Sequence, residues 1–416
     1  MDRLRLLYVT LFPAGPPRYG AQRRLQGLMQ GLGARHELTA LSLISPELDR
    51  AEAGRAMGGY CSEVVLVDSP PWDGLGRRLR QARSLFSRSS FERRSCTLPA
   101  LRRALDAALS ARRYDLVNIE APFLAHYPLA RAPRGLPPPR LVLDQHNLEF
   151  DLARQMAGQR QGLLRRLHNT ANWPKIRSEE LAAWRRFDGV TFTSAQDEAR
   201  ARELVPQVRS AVVPNAVDLQ AFAPRAGDPP SDGRTVLFFG AINYHPNLDG
   251  VLFFLREAWP RLAAAHPQAR LKIIGQHPTA AVLAHRGPRV EVTGLVDDLR
   301  AHLAAAAVVI VPLRLGGGTR LKILEAMAMA KPIVSTRIGA EGIEATPGRH
   351  LLLEDAPADF AAAVGRLLDD PRACAALGAE ARALAEARYS WESAALRLEA
   401  FFGQVLAAPP RDAIAL

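Results

Sequence analysis

The sequence predicts an α/β protein built from two doubly wound, Rossmann-like domains. Three observations lead there. Short apolar runs alternate with amphipathic helical patterns along the whole chain. Several runs, such as VLFFG at 236–240 and AVVIVP at 307–312, are apolar throughout, as parallel strands covered by helices on both faces must be. A stretch rich in Pro, Gly and Asp, FAPRAGDPPSDG at 222–233, falls between two such series and has the composition of an exposed linker.

The elements follow in order. In the first half, strands are expected at Leu4–Leu11, Glu37–Ile44, Glu63–Val67, Asp115–Ile119, Arg140–Gln145, Val190–Thr193 and Ser210–Val213. Helical periodicity covers Ala21–Leu32, Pro99–Ala111 and Pro174–Phe187. In the second half, strands are expected at Thr235–Gly240, Arg270–Gly275, Val290–Val292, Val308–Val311, Ile333–Ser335 and His350–Leu353. Helices intervene at Pro246–Ala264, Asp297–Ala305, Arg320–Ala330 and Ala358–Leu368. Two successive βα series imply two domains, 1–214 and 215–390, with a last helix at 391–410 expected to pack back on the first. The tail Ala407–Leu416 reads as frayed.

Composition narrows the class. The 416 residues suit two or three domains with cores of their own. Cys61, Cys96 and Cys374 are far apart and odd in number, which argues against a disulfide framework or a thiolate zinc site and suggests a reducing, cytoplasmic home. No run reaches the roughly 20 apolar residues that span a bilayer, and the N-terminal MDRLRLLYVTLFPAG reads as a first core strand rather than a signal peptide. The net charge is +12. Residues 1–215 hold 33 Lys+Arg against 21 Asp+Glu, and residues 216–416 hold 21 of each. An excess confined to one half points to an anionic partner for that half.

The richest segment is VIVPLRLGGGTRLKILEAMAMAKPIVST at 309–336. A buried strand ends at Pro312, Gly316, Gly317 and Gly318 follow, and a helix is expected to begin near Thr319, a good N-cap residue. Glycines before a helix N-terminus let backbone N–H groups approach a phosphate, and the helix end carries partial positive charge. Arg320 and Lys322 add two cations, and Glu325 can accept hydrogen bonds from sugar hydroxyls. The bland alternative is a helix start with a surface Glu–Lys pair. The position at the carboxyl end of a parallel strand favours the phosphate site.

With these residues the chain resembles the retaining GT-B glycosyltransferases of family 4. The motifs stand in the family's order: FPAGPPRYGAQRRLQGL near the start, DQHNLEF at 144–150, VVPNAVD at 212–218, FFGAINYHPN at 238–247, LKIIGQHP at 271–278, VTGLVDDL at 292–299, the GGGTRLKILEAMA block, GAEGI at 339–343 and YSWE at 389–392. The resemblance implies two Rossmann-like domains facing across a cleft and sugar transfer from a nucleoside-diphosphate donor. It also implies roles. Glu325 would bind the donor ribose, and Gly316 to Thr319 would bind sugar and diphosphate. Leu295 and Val296 would lie beside the nucleobase. His146 would lie near the transferred sugar. Gly20, on the turn after the first strand, and Gly240, on the turn after the first strand of the second domain, would lie at the donor site.

Two departures matter. Most members carry a glutamate eight residues before the ribose-binding one, where this chain has Gly317. Many carry an Arg and a Lys after the first strand of the second domain, where this chain has GAINYHPN. Arg320 and Lys322 are therefore read as the cations that meet the diphosphate. The GGGTRLKxLEAMA and HN-x-E patterns are closest to a subgroup associated with envelope polysaccharide. Asp144 either orients His146 or caps its strand. No DxD motif and no metal-spaced acidic cluster occurs in the sequence, so no metal or other cofactor is expected, and the donor is a co-substrate. A double displacement needs a carboxylate nucleophile beside the anomeric carbon. With Gly317 in place of the usual acid, a front-face mechanism with retention is the expectation.

The partners expected are the nucleotide-sugar donor and a lipid-linked or glycan acceptor. Leu75–Arg94 has seven arginines interleaved with Leu79, Leu85, Phe86 and Phe91. It reads either as a solvated basic helix or as a helix on an anionic membrane surface, on the cytoplasmic face. Nucleic acid is not expected, because no recognition motif accompanies the charge. Two rival readings remain open: a GT-B sugar-nucleotide epimerase, and a GT-B scaffold that binds nucleotide sugars without transfer.

Overall fold

The computed structural model describes residues 3–17, 20–71, 74–158, 163–316 and 318–410. The chain divides into two compact units, Met1–Pro214 with Ala394–Leu416, and Asn215–Ser393.

The first unit holds a parallel sheet of seven strands: β1 (Arg5–Thr10), β2 (Glu37–Ile44), β3 (Glu63–Asp68), β4 (Leu116–Ile119), β5 (Arg140–Gln145), β6 (Gly189–Phe192) and β7 (Ser210–Val212). Their order is β3-β2-β1-β4-β5-β6-β7, so the winding reverses between β1 and β4. Its helices are α1 (Gly20–Gly33), α2 (Arg50–Gly58), α3 (Gly74–Leu85), α4 (Phe91–Cys96), α5 (Pro99–Ala111), α6 (Glu149–Ala157), α7 (Leu163–Arg186) and α8 (Ala195–Leu204). Alternation along the strands sorts the two faces of the sheet. Leu7, Val9, Leu41, Leu43, Val117, Ile119, Leu143 and Phe192 join Trp184 of α7 and Leu105 of α5 in one apolar core. The opposite face carries a buried polar layer in register: Thr10 beside Ser42, Tyr8 beside Asn118, and Asp144 beside Thr191.

The second unit holds β8 (Thr235–Phe239), β9 (Arg270–Ile274), β10 (Val290–Gly294), β11 (Val308–Val311), β12 (Ile333–Ser335) and β13 (Leu352–Leu353). Their order is β10-β9-β8-β11-β12-β13, with the reversal between β8 and β11. The helices are α9 (His245–Phe253), α10 (Trp259–Ala265), α11 (Ala280–Leu283), α12 (Leu299–Ala305), α13 (Leu321–Ala328), α14 (Pro357–Asp369) and α15 (Pro371–Arg388). Both faces of this sheet are apolar, and Leu237, Ile273, Val309 and Ile310 pack against Leu324 of α13 and Phe360 of α14 in one core. A last helix, α16 (Trp391–Ala407), brings Phe401 and Val405 into the first unit's interior, where Arg35 meets Glu399 at 2.6 Å and Arg140 donates to the Ala408 carbonyl at 2.6 Å.

Three sequence expectations need correction. The helix expected to start at Pro174 runs through it, from Leu163 to Arg186. Tertiary bonds anchor the helix on both sides of Pro174: Asn172 accepts from the Phe91 amide at 2.9 Å, and Lys175 donates to the Ser84 carbonyl at 2.8 Å. The single helix expected over Pro246–Ala264 is instead α9 and α10, joined by a π-helical turn over Phe254–Ala258. Pro260 has no amide hydrogen to return to the preceding turn, and the wider turn absorbs this. The basic segment is two short helices, α3 and α4, rather than one. Phe91 is not on its surface but buried, with the His168 ring edge-on at 6.0 Å and the Arg77 guanidinium 5.8 Å from the ring centre.

Candidate functional site

The carboxyl ends of β8 and β11 flank the winding reversal of the second unit, the position where open α/β sheets bind ligands. After β8 comes Gly240, with φ at +143°, a conformation other residues resist. A Cβ there would stand 3.0 Å from the Lys322 ammonium and 3.0 Å from the Asn247 amide. After β11 the chain turns through Gly316 (φ +118°) and Gly318 (φ +68°) into α13.

The cap of α13 differs from expectation. Arg320, not Thr319, is the N-cap residue, and its side chain makes no cap hydrogen bond. The Thr319 hydroxyl instead donates to the Gly342 carbonyl at 3.4 Å, and the Thr319 carbonyl accepts from Asn215 at 2.8 Å. Among the described residues no side chain accepts from the first-turn amides of α13, the arrangement that suits an anion. Arg320 folds back along its own loop, donating to the Gly318 carbonyl at 2.6 Å and reaching Ile338 O at 3.4 Å. Lys322 crosses to the end of β8, donating to Asn247 Oδ1 at 2.7 Å with its nitrogen 4.2 Å from the Phe238 ring centre. Burial first, and Arg320 second, pull its ammonium down to about 7. Glu325 is only 4% exposed, so the surface Glu–Lys pair does not describe this helix.

Leu295 and Val296 follow Gly294 at the end of β10. Leu295 is 77% exposed, whereas Val296 packs against the core. Gly317 lies outside the described residues.

In the first unit, the carboxyl ends of β4 and β5 and the helix α1 meet around His146. Asp144 is held by Arg24 in two hydrogen bonds of 3.1 and 2.7 Å and by the Thr191 hydroxyl at 2.7 Å, with both charged side chains 1% exposed. Arg24 and His146 keep the Asp144 carboxyl well below the usual range, against the opposing effect of burial. His146 Nε2 stands 3.3 Å from Asp144 Oδ2. The loop carrying His146 is fastened from α7, where Glu180 accepts from the amides of Glu149 and Phe150 at 3.1 and 3.0 Å and from the Gln145 side chain. Gly20 opens α1 after β1.

The sequence-derived residues thus form two groups, Gly240 with Gly316, Gly318, Thr319, Arg320, Lys322 and Glu325 in the second unit, and His146 in the first. Sequence reasoning missed Asn247, Arg24, Glu120 and Glu180. Arg24 stood inside the AQRRLQGL motif but could not be told from Arg23 beside it, and no periodicity marks Glu180 as buried.

Comparison with known proteins gives the following. A family model described as Glycosyltransferase Family 4 matches residues 19–221, and one described as Glycosyl transferases group 1 matches residues 233–370. A Corynebacterium glutamicum protein, a GDP-mannose-dependent monoacylated alpha-(1-6)-phosphatidylinositol monomannoside mannosyltransferase, is 30% identical over 205 residues, 45% of this chain and 54% of the relative. An MMP alpha-(1->4)-mannosyltransferase of Mycolicibacterium hassiacum is 34% identical over 206 residues, 47% of this chain and 48% of the relative. The chain therefore spans about half the length of the curated relatives it matches. Among solved structures, sucrose-phosphate synthase of Thermosynechococcus elongatus superposes with a TM-score of 0.72 at 20% identity, covering 97% of this chain and 100% of that one. At that identity the likeness establishes the fold.

Proposed function

The chain belongs to the group 1, family 4 glycosyltransferases, and from that membership we propose that it moves a sugar from a nucleoside-diphosphate donor to an acceptor hydroxyl with retention of configuration. One observation carries the reading: the uncapped first turn of α13 opens beside the buried Lys322 ammonium and Glu325, at the winding reversal of the second unit. Backbone amides and Lys322 would meet the diphosphate, and Arg320 would hold the glycine loop in shape for it. Glu325 would accept hydrogen bonds from ribose hydroxyls, with Leu295 exposed for the base. In a front-face reaction the bond from the anomeric carbon to the leaving phosphate oxygen breaks as the acceptor oxygen bonds the same carbon. The acceptor proton passes to that phosphate oxygen.

GDP-mannose is the first donor to try, because the Corynebacterium glutamicum relative is named for it. The acceptor is read as a lipid-linked sugar or growing envelope glycan. Leu79, Leu85 and Phe86 at α3, with Leu167 on the adjoining α7, are exposed among arginines, which suits peripheral contact with an anionic cytoplasmic leaflet. Among the described residues no helix is long and apolar enough to cross a membrane. Flotation of the wild type with anionic but not neutral vesicles, weakened by salt and by replacing Arg77, Arg80 and Arg83 with Gln, tests that contact.

The assay for the function is nucleotide release from GDP-, UDP-, ADP- and dTDP-sugars, with and without an acceptor lipid fraction, in the presence of EDTA. Acceptor-dependent release undiminished by EDTA is expected. Release without acceptor would indicate an epimerase, and binding without release a scaffold.

A further inference from the structure

Three motifs, VVPNAVD at 212–218, GAEGI at 339–343 and YSWE at 389–392, supply none of the donor-site groups named above, yet one circuit of hydrogen bonds ties them to its glycine loop. Asn215 Nδ2 donates to the Thr319 carbonyl at 2.8 Å. The Thr319 hydroxyl donates to the Gly342 carbonyl at 3.4 Å. Just beyond Gly342, the Glu344 amide donates to the Tyr389 hydroxyl at 2.8 Å. The Tyr389 carbonyl accepts from the Val217 amide at 2.8 Å, and Val217 bridges Ser390 in parallel. Val217 stands two residues after Asn215, so the circuit closes. Val217 and Tyr389 are both buried, and every member belongs to the second unit.

The bond from Asn215 falls where the chain most needs one. Gly316 and Gly318 sit at positive φ just before Thr319, and glycine leaves neighbouring peptide groups free to turn. Two successive carbonyls are nevertheless held by side chains: Gly318 O by the Arg320 guanidinium at 2.6 Å, and Thr319 O by Asn215. A trans peptide is planar, with its N–H directed opposite to its C=O. Holding these two oxygens therefore fixes the direction of the Thr319 and Arg320 amides at the start of α13. The task needs a short neutral donor. An asparagine side chain has one in its NH2 group, whereas an ionised aspartate of the same shape can only accept.

We propose that Asn215 is a positioning residue for the donor loop, its side-chain amide holding the Thr319 carbonyl and so aiming the peptide groups that open α13. The hold on the loop stands on the geometry; its consequence for donor affinity rests on the proposed function, in which amides of this loop meet the diphosphate.

The test is a carbonyl–amide NMR correlation on full-length protein labelled with carbon-13 at the threonine carbonyls and nitrogen-15 in arginine. Thr–Arg occurs twice in the chain, at 319–320 and 336–337, and Arg337→Lys identifies the second signal by removing it. Asn215 is only partly buried, and its replacements are Ala and Asp. Each should move the Thr319 carbonyl signal upfield, as a lost hydrogen bond does, and leave the 336–337 signal in place. If Asn215→Asp does not fold, Asn215→Ala carries the test. Calorimetry then compares the nucleoside diphosphate sugar that binds the wild type. Asn215→Ala should bind it about threefold to tenfold more weakly, the effect of one hydrogen bond. Arg300→Met, which breaks the bidentate pair with Asp228, serves as the control for general loss of stability. It should lower the melting temperature without moving the Thr319 signal or the affinity. A Thr319 signal unmoved in both Asn215 variants would overturn the proposal, as would a moved signal with unchanged affinity. A moved signal in a protein whose wild type binds no nucleotide sugar keeps the hold of Asn215 on the loop and removes the functional reading. An unmoved signal in a wild type and variants that all bind donor does the reverse.

Discussion

In the second unit, Gly316, Thr319, Arg320, Lys322 and Glu325 come from ten consecutive positions around one helix start. In the first unit, Arg24 and Asp144 make their buried pair across 120 residues, and Glu120 and His146 join them from two strand ends. The second unit gathers cations and backbone amides behind glycines. The first gathers carboxyl groups under a polar sheet face and neutralises one of them with a buried arginine. The contrast separates two kinds of polar site: one drawn from a single stretch of chain around a helix start, and one assembled from charges far apart in sequence that neutralise one another inside the protein.

That contrast makes the first unit the more fragile. Arg24→Met leaves the Asp144 carboxylate buried without its guanidinium, so a loss of about 3–5 kcal/mol in urea unfolding is expected. Arg320→Met, which removes hydrogen bonds within one surface loop, should cost about 1 kcal/mol or less. Equal losses in the two variants would erase the distinction.

A smaller effect should appear in pH dependence. Folded Glu120 keeps its proton up to about pH 8, whereas in the unfolded chain it ionises in the ordinary carboxylate range. Between those limits the folded state binds more protons, so the stability Glu120 contributes is full at low pH and is lost as pH rises toward 8. Melting temperatures of wild type and Glu120→Gln should therefore diverge in favour of the variant between pH 5 and 8.5. A constant gap would mean that Glu120 is ionised throughout.

The smallest expected signal belongs to Lys322. Burial leaves its ammonium near 7, and a bound diphosphate favours the charged form. Binding of a nucleoside diphosphate at pH 8 should then take up to about one proton from buffer, read by calorimetry in two buffers of different ionisation enthalpy. Lys322→Met should abolish the uptake. Binding with no proton uptake in the wild type would show that the diphosphate lies elsewhere.

The same contrast explains what could be read from sequence. The strands of both units were legible because runs such as VLFFG and AVVIVP are buried on both faces, and the α13 block because glycines, cations and Glu325 are adjacent in the chain. The partners of His146 were not, since Glu120 and Arg24 look like surface charges until β4, β5 and α1 are brought together. Asn247 was hidden for the same reason: its bond to Lys322 spans 75 residues. The π-helical turn before Trp259 was missed because a proline inside an apolar helical pattern, here Pro260, does not say whether a helix ends or widens.

The site in the second unit is tested most directly by donor titration of wild type and Glu325→Gln. Calorimetry with GDP-mannose, UDP-glucose and their ADP and dTDP counterparts should find a nucleotide sugar that binds the wild type. Glu325→Gln should bind it roughly tenfold or more weakly, as expected for a lost charged hydrogen bond of about 1.5–3 kcal/mol, with its melting temperature unchanged. Binding of no nucleotide sugar, or equal affinity in Glu325→Gln, would contradict the assignment of this site.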